Sequence, residues 1–297
     1  MEDVLDCLII GGGAAGLVAA VYLGRFRRSC VVVDEGRSRL AWIPKSRNVV
    51  GFPDGISGPD LLERLRAHAA NYDIAMHAGR VESLTLLPDG TFEARAGATS
   101  FHARSVLLAT GARDVAPDVE GLEAALKAGN VRYCPVCDGF ETQGLRVAVL
   151  GEEVHGLRES AFVAGFANEV TWLSMGSRGA CGEAELSRLG ELKVAVHDPK
   201  PLAIHLMPGK GVEVEFHDGE RMKFDVLYPA LGITHASDLA TALGAYAEGD
   251  GQLVIDESCR TSVPGLYAIG DVAAGLNQIN VAAGHAAIAA TTVHNSL

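Results

Sequence analysis

Residues 6–16 read Asp-Cys-Leu-Ile-Ile-Gly-Gly-Gly-Ala-Ala-Gly, and this stretch decides the fold class. Its apolar beginning predicts a short buried strand over Asp6–Ile10. The glycine turn Gly11–Gly16 follows at once, and the small and apolar residues Leu17–Leu23 predict a helix after it. A second apolar strand is predicted over Cys30–Val33. This part of the chain is therefore one βαβ unit at the start of a doubly wound sheet.

The three spaced glycines of this turn have separate physical tasks. Gly11 allows a tight turn, Gly13 lets the backbone approach a pyrophosphate, and Gly16 lets helix and strand pack closely. Free N–H groups at the helix start favour a diphosphate, and the acids Asp34 and Glu35 after the second strand suit ribose hydroxyls. Because an acid there repels a 2′-phosphate, the unit is predicted to hold FAD or NAD rather than NADP. The alternative is that these glycines serve packing alone.

Composition and charge exclude several classes of protein. The 297 residues include 25 Lys and Arg against 37 Asp and Glu, a net charge of −12. Nucleic acids and anionic membranes attract clustered positive charge, so neither is an expected partner. Six cysteines are too few for a disulfide-stapled secreted protein. The acidic N-terminus also lacks the basic start of a secretory signal, so a cytoplasmic setting is expected.

A second βαβ pattern lies near the middle of the chain. It predicts a strand over Arg146–Leu150, a helix over Leu157–Phe166 and a strand over Glu169–Leu173. A further strand is predicted over Gly251–Ile255. The predicted fold class is α/β, with two Rossmann-like three-layer domains of the FAD/NAD(P)-binding type.

The run Cys134-Pro135-Val136-Cys137-Asp138 holds the one close pair of cysteines in the sequence. Zinc usually takes four ligands, and no second CxxC or nearby pair of histidines completes a set, so no metal site is predicted. A reversible redox disulfide is the better interpretation, with two buried structural thiols as the alternative. Asp138, if close to the pair, could carry a proton during exchange. The cysteines expected to be buried and inert are Cys7, Cys30, Cys181 and Cys259.

Four landmarks in this order resemble the low-molecular-weight thioredoxin reductases over nearly the whole chain. They are Gly11–Gly16, Ala109-Thr110-Gly111, Cys134–Phe140 and Thr261–Val272. The resemblance implies an FAD-dependent disulfide oxidoreductase that forms a homodimer. It also implies that the second domain is inserted into the first. The FAD-binding domain would comprise residues 1–113 and 236–297, and the inserted NAD(P)-type domain, with the redox pair, residues 114–235.

The same resemblance assigns roles to individual residues. Cys137 would be the thiol nearest the flavin, Cys134 would attack the substrate disulfide, and Asp138 would be the acid/base. Asp271 would hold the ribityl chain of FAD. The stretch Gln278, Ile279 and Asn280 would begin a helix aimed at the pyrimidine edge of the ring. Besides the glycines and acids named above, the implied cofactor-binding residues are Leu40, Asn48, Gly111, Gly270, Asp271, Gln278, Ile279 and Asn280.

The second glycine turn departs from the family pattern. Gly151-Glu152-Glu153-Val154-His155-Gly156 places Glu153 at the middle glycine position. The family's His-Arg-Arg and Arg cluster, which grips the 2′-phosphate of NADPH, is replaced by residues 174–179 with Arg178 alone. The predicted strand Glu169–Leu173 also does not end in the acid that would favour NADH. NADPH binding is therefore predicted to be weak or lost, and an NADPH site rebuilt from other residues is the alternative.

The flavin-binding segment departs from the family as well. Ser38-Arg39-Leu40-Ala41-Trp42 replaces the family's Gly-Gly-Gln-Leu, and Trp42 is expected to be a core residue.

The leading functional interpretation is a thiol–disulfide oxidoreductase. It would pass electrons between FAD and the Cys134–Cys137 disulfide, and on to a thioredoxin-like protein or a small disulfide. An NADPH-independent member is the alternative, either a ferredoxin-fed reductase or a dithiol oxidase that gives its electrons to oxygen. Pro135 is similar to both of these variant groups. A hypothesis of another class is a non-catalytic flavin-binding sensor.

Overall fold

The computed structural model describes residues 4–166, 168–209 and 211–297. The chain divides into two compact units. The first unit comprises the residues up to Ala41, Gly58–Arg113 and Thr234–Leu297. The second unit comprises Trp42–Ser57 and Asp114–Ile233. Residues 42–57, which the sequence assigns to the discontinuous domain, thus group with the second unit.

The regular elements are numbered in chain order. The strands are β1 Leu5–Ile10, β2 Cys30–Asp34, β3 Ala75–Ala78, β4 Ser83–Leu86, β5 Phe92–Ala96, β6 Thr99–Leu108, β7 Ala112–Asp114, β8 Arg146–Leu150, β9 Glu169–Leu173, β10 Ala195–His197, β11 Pro201–Leu206, β12 Val212–Phe216, β13 Arg221–Phe224, β14 Val226–Pro229, β15 Ile233–His235 and β16 Leu266–Ala268. The α-helices are α1 Ala14–Arg25, α2 Gly58–Ala70, α3 Leu122–Lys127, α4 Pro135–Asp138, α5 Glu153–Ala164, α6 Glu183–Glu191, α7 Asp238–Thr241 and α8 Ile279–Ser296. The 3-10 helices are Arg39–Trp42, Gly139–Thr142, Arg178–Ala180 and Gly270–Val272.

A seven-stranded sheet with the order β3-β2-β1-β6-β5-β4 forms the centre of the first unit, and β16 also pairs with β6. Strands β3, β2, β1, β6 and β16 are parallel, whereas β4, β5 and β6 form an antiparallel edge. The long strand β6 therefore joins the parallel part of the sheet to its antiparallel edge. Helices α1, α2 and α8 pack on this unit, with α1 against α8. Because parallel strands are covered on both faces, β1 and β2 are nearly continuous apolar runs, which is why the sequence shows them so clearly.

Helix α1 is a buried helix rather than an amphipathic one. It carries no charged residue before Arg25 at its end, and most of its residues are buried. Helix α8 buries a stripe of small residues at helical spacing: Ala282, Ala286, Ala289, Ala290 and Val293. Two helices with such small buried residues can approach closely, which fixes α1 and the turn that precedes it.

The second unit contains a parallel sheet with the order β10-β9-β8-β14 and an antiparallel sheet of β11, β12 and β13. Helices α5 and α6 belong to the same unit, and α5 packs on β8 and β9. The buried Trp172 of β9 and Tyr228 of β14 contribute to its core. Strands β7 and β15 pair where the chain passes from one unit to the other and back.

Most of the predicted elements are confirmed, and so is the α/β class with parallel Rossmann-like sheets. Helix α5 begins at Glu153, earlier than its predicted start at Leu157. The strand predicted over Gly251–Ile255 is wrong: in place of a ladder, Leu253 makes isolated bridges to Ala247 and Ala273. Trp42 is also not a core residue, since 49% of its surface is exposed. Across residues 4–166, 168–209 and 211–297, no helix has the length and apolar character to cross a membrane.

Candidate functional site

The glycine turn between β1 and α1 is as tight as its sequence predicts. Gly11 has φ +112°, and a Cβ added there would lie 2.2 Å from the carbonyl oxygen of Ala109. A Cβ on Gly16 would lie 1.9 Å from the carbonyl oxygen of Gly11. Both contacts are with backbone, which cannot rotate away, so these two positions require glycine.

The middle glycine leaves an open backbone face. A Cβ on Gly13 would meet a single neighbour within 4 Å, the hydroxyl oxygen of Ser38 at 3.3 Å. Gly13 is also the N-cap of α1, without a side-chain cap and without an acid in the first turn. The first N–H groups of α1 therefore remain available to an anion, and the turn fits the diphosphate of a dinucleotide.

We expect Gly11→Ala to destabilise the first unit by at least about 2 kcal/mol, because it adds both backbone strain and a clash. Gly90→Ala is the matched control. Gly90 also has positive φ (+85°), but a Cβ there would meet nothing within 4 Å, so only the strain is added. Urea unfolding and the FAD content of both variants measure the difference. Equal behaviour of the two variants would contradict the assigned role of the turn.

The two acids after β2 have different partners. Asp34 accepts a hydrogen bond from the Gly12 N–H at 3.2 Å and pairs with Arg66 at 3.4 Å. Glu35 pairs instead with Arg113 at 2.5 Å. Asp34 is thus the acid that contacts the glycine turn, whereas Glu35 is paired with Arg113.

The C-terminal part of the first unit brings a second motif to the same turn. A Cβ on Gly270 would lie 2.9 Å from the Ala15 Cβ of α1, so the Gly270–Val272 helix lies against the start of that helix. The adjacent Asp271 pairs with Arg39 at 3.1 Å between Oδ2 and Nη1. Arg39 belongs to the stretch that replaces the family's Gly-Gly-Gln-Leu, and sequence reasoning did not assign it a role.

The other predicted cofactor residues of the first unit lie at ends of elements. Leu40 is buried in the 3-10 helix after β2, and the carbonyl of Gly111 accepts a hydrogen bond from the N–H of Ala236 at 3.0 Å. Gln278 is the N-cap of α8, whose first residues are Ile279 and Asn280.

Asn48 lies in the second unit, beside the cysteine pair. Its amide donates to the carbonyl of Val136 at 3.3 Å, and its carbonyl accepts from the Ser46 hydroxyl at 2.9 Å. The neighbouring Arg47 N–H points to the carbonyl of Cys137 at 3.5 Å. The segment 42–57 is therefore attached to α4 through the backbone carbonyls of Val136 and Cys137, inside the redox motif.

Cys134 and Cys137 are joined by a disulfide at the start of the short helix α4. Cys134 is the N-cap of this helix and Pro135 its first residue, a position that suits proline because its missing N–H has no helical partner. Both cysteines are half-buried. Next to them, Val136 is half-exposed and Phe140 is 74% exposed, so apolar side chains border the pair.

Asp138 is buried directly after this pair, and both of its carboxylate oxygens have donors. Oδ1 accepts from the Tyr228 hydroxyl at 2.6 Å, and Oδ2 pairs with Arg132 Nη1 at 3.2 Å. Burial raises the pKa of the Asp138 carboxyl, while the Tyr228 hydrogen bond and the Arg132 charge oppose that rise. Sequence reasoning found Asp138 but missed both partners. An isolated Arg and a Tyr in a strand carry no local signal for this role.

Three of the four remaining cysteines are buried as predicted, and the fourth, Cys181, differs from the prediction. Cys7, Cys30 and Cys259 are free and buried as predicted, and Cys181 is also free but only half-buried. Burial raises the pKa of Cys30 to about 12 and that of Cys259 to about 11, so their thiols stay protonated at neutral pH.

The second glycine turn keeps its packing glycines and loses its open one. A Cβ on Gly151 would lie 2.5 Å from the carbonyl oxygen of Ala230, and one on Gly156 would lie 2.3 Å from that of Gly151. Between them, Glu153 has φ +46°, a conformation that favours glycine. Its N–H already donates to the Ser177 hydroxyl at 2.7 Å. The turn therefore does not fit a dinucleotide diphosphate.

An acid also lies beside residues 174–179, the stretch that replaces the family's Arg cluster. The Asp198 carboxylate follows β10 and accepts hydrogen bonds from the Ser174 hydroxyl and, at 3.3 Å, from the Arg178 N–H. Lys200 also approaches this loop, with its Cε 3.8 Å from the position of a Cβ on Gly176. The loop 174–179 thus has both a carboxylate, Asp198, and an ammonium group, Lys200, close to it. The sequence did not predict Asp198 at this loop because it follows β10, a later strand.

Comparison with known proteins places nearly all of the chain in one family. The family described as pyridine nucleotide-disulphide oxidoreductase matches residues 5–286. A thioredoxin reductase of Aquifex aeolicus is 29% identical over 280 residues, which cover 91% of this chain and 86% of that protein.

Two solved structures support the same assignment. The thioredoxin reductase of Streptococcus pyogenes superposes with a TM-score of 0.90 at 26% identity, over 99% of this chain and 98% of that one. The atypical thioredoxin reductase TRi of Desulfovibrio vulgaris is 31% identical, with a TM-score of 0.54 over 97% and 96% of the two chains. The chain belongs to the pyridine nucleotide-disulphide oxidoreductase family, as a thioredoxin reductase-like, flavin-dependent disulfide oxidoreductase.

Proposed function

We propose that electrons pass between FAD bound by the first unit and the Cys134–Cys137 disulfide of the second unit. The observation that carries this proposal is the disulfide on α4, followed at once by the buried and hydrogen-bonded Asp138. The glycine turn, Asp34 and Asp271 support FAD in the first unit. The first unit would thus be the interrupted FAD domain and the second the inserted domain.

Each residue of the redox motif has a separate proposed task. FAD, when bound, supplies or accepts two electrons. Cys137 is assigned the flavin side of the pair and Cys134 the substrate side. In the reducing direction, the Cys134 thiolate attacks the partner disulfide and releases one thiol. Cys137 then attacks the mixed disulfide, which releases the second thiol and closes the Cys134–Cys137 bond. Asp138 carries a proton to the departing sulfur.

The electron donor is the open part of the function, and the second glycine turn bears on it. The N–H of Glu153, a backbone donor that a diphosphate would need, already donates to the Ser177 hydroxyl. The Glu153 side chain stands where the family has glycine. We therefore propose that NADPH is bound weakly or not at all. Two NADPH-independent reactions follow. Reduced ferredoxin could deliver electrons one at a time for disulfide reduction. Alternatively, a dithiol could lose two electrons and two protons to O2, which gives a disulfide and hydrogen peroxide.

The partner is proposed to be a thioredoxin-like protein or a small disulfide or dithiol. The exposed Phe140 and Val136 beside the pair offer apolar contact to such a substrate. A homodimer and a reducing cytoplasm complete the proposal. Three of the four free cysteines are buried, and nothing in that arrangement requires an oxidising compartment.

Reactions with defined electron donors, without and with oxygen, separate these possibilities. The purified holoprotein should be yellow, and dithiothreitol should bleach its flavin through the cysteine pair. Turnover with reduced ferredoxin alone identifies the ferredoxin-fed reductase, whereas peroxide from a dithiol in air identifies the oxidase. A colourless chain that FAD cannot reconstitute would overturn the proposal. A bound flavin that dithiols do not reduce would favour the flavin-binding sensor.

A further inference from the structure

We propose that Tyr228 and Arg132 are positioning residues that hold the two oxygens of Asp138 beside the redox pair and thereby govern its proton transfer with the cysteines. This inference rests on the proposed function, in which Asp138 is the acid/base. It assigns roles to two residues outside the Cys-x-x-Cys-Asp motif.

The three side chains come from different elements of the second unit. Asp138 is the last residue of α4 and follows Cys137 directly in the chain. Tyr228 belongs to the buried strand β14, where the core fixes its ring. Arg132 precedes α4, and its Nε donates to the carbonyl of Gly129 at 2.8 Å. Both partners are therefore held independently of Asp138.

The two donors differ in what they allow Asp138 to do. A guanidinium can only donate, so Oδ2 opposite Arg132 favours the ionised carboxylate. A tyrosine hydroxyl can donate or accept. Tyr228 can therefore donate to Oδ1 when Asp138 is ionised, and accept from it when Oδ1 carries a proton. Oδ1 is the oxygen that gains and loses the proton, and Tyr228 keeps it hydrogen-bonded in both states.

The surrounding charges set the direction of the expected effect. Burial raises the pKa of Asp138, the two donors oppose that rise, and Glu141 adds to it. Glu141 is itself paired with Arg47 at 3.4 Å, which moderates its influence. Burial also raises the pKa of the Tyr228 hydroxyl, so it stays protonated as a donor. Removal of either donor should therefore move the titration of Asp138 to higher pH.

The test is the pH dependence of thiol–disulfide exchange by the reduced holoprotein. The probe is dithiobis-nitrobenzoate, in a Cys181→Ser background that removes the half-buried free thiol. We expect Tyr228→Phe to shift the midpoint of the profile upward by about one pH unit. Arg132→Met should shift it in the same direction, and Arg132→Lys, which keeps the charge, should restore much of the original profile.

Asp138→Asn is the reference, with a rate about 100- to 1,000-fold lower and no remaining titration of this group. Flavin content and thermal midpoint of each variant show whether it folds. If Asp138→Asn abolishes the titration while Tyr228→Phe and Arg132→Met leave the profile unmoved, the positioning role is overturned and the proposed function stands. If Asp138→Asn itself exchanges at the wild-type rate, the assigned role of Asp138 fails, and with it this inference.

Discussion

Replacement of Cys137 by serine is expected to reduce thiol–disulfide turnover to background while FAD remains bound. A disulfide needs two sulfurs, so neither half of the pair can complete a two-electron exchange alone. The substitution exchanges one sulfur for an oxygen at a half-buried position, and the contacts of the glycine turn lie in the other unit. Turnover with a dithiol and the visible flavin spectrum, measured on the same sample, check both parts of this expectation.

Cys134→Ser is the matched control, because it should be equally inactive but fail at a different step. In Cys137→Ser, Cys134 can still attack a disulfide and then has no resolving thiol, so a stable mixed disulfide should accumulate. In Cys134→Ser this adduct should form slowly, since the attacking thiol is gone. Mass spectrometry after exposure to a small disulfide distinguishes the two. Undiminished turnover in Cys137→Ser would refute the redox role and favour the sensor.

NADPH is expected to leave the flavin oxidised when it is added in stoichiometric amounts without oxygen. The loss of two or more charged contacts weakens binding at least about a hundredfold. Here the N–H of Glu153 is already bonded to Ser177, and the carboxylates of Glu152, Glu153 and Asp198 repel phosphates. NADH, which lacks the 2′-phosphate, should be less affected by Asp198 than NADPH. Anaerobic titration of the flavin absorbance measures both.

Two variants separate the contribution of the second glycine turn from that of Lys200. Glu153→Gly removes a carboxylate and relieves the strain of a side chain at positive φ, so it should strengthen the binding of both nucleotides severalfold. Lys200→Ala should leave NADPH binding unchanged if the site is lost, and weaken it if Lys200 belongs to a rebuilt 2′-phosphate site. Prompt stoichiometric bleaching of the wild-type flavin by NADPH would contradict the prediction and establish the rebuilt site.

Local sequence predicted the parts of the molecule that local contacts determine. The glycine turn, α1 and β2 lie within one βαβ unit, and Gly16 is constrained by the carbonyl of Gly11 in the same turn, whereas the constraint on Gly11 comes from Ala109 after β6. The strand predicted over Gly251–Ile255 failed for the opposite reason. Its apolar residue Leu253 is buried by the first-unit core without joining a ladder, and burial alone produces the same pattern.

The polar residues around the site come from distant parts of the sequence, so no local sequence pattern predicts their contacts. Tyr228 reaches Asp138 from 90 residues further along the chain. Asp198 reaches Ser174 from the end of another strand. The segment 42–57 attaches to α4 although the FAD-binding pattern surrounds it in sequence. In each case the residue types are common ones that signal no particular role. Their contacts follow from the fold, which the spacing of residues along the sequence does not predict.

The half-buried Cys181 makes this chain suitable for site-specific labelling. Its surroundings raise its pKa, first through burial and then through the nearby Glu185 and Glu153. A maleimide dye should therefore couple there slowly at neutral pH and faster at mildly alkaline pH, while the three deeply buried thiols stay unmodified. With the redox pair kept oxidised, a single fluorophore would then stand next to the degenerate turn. Its emission would report directly on any nucleotide that enters.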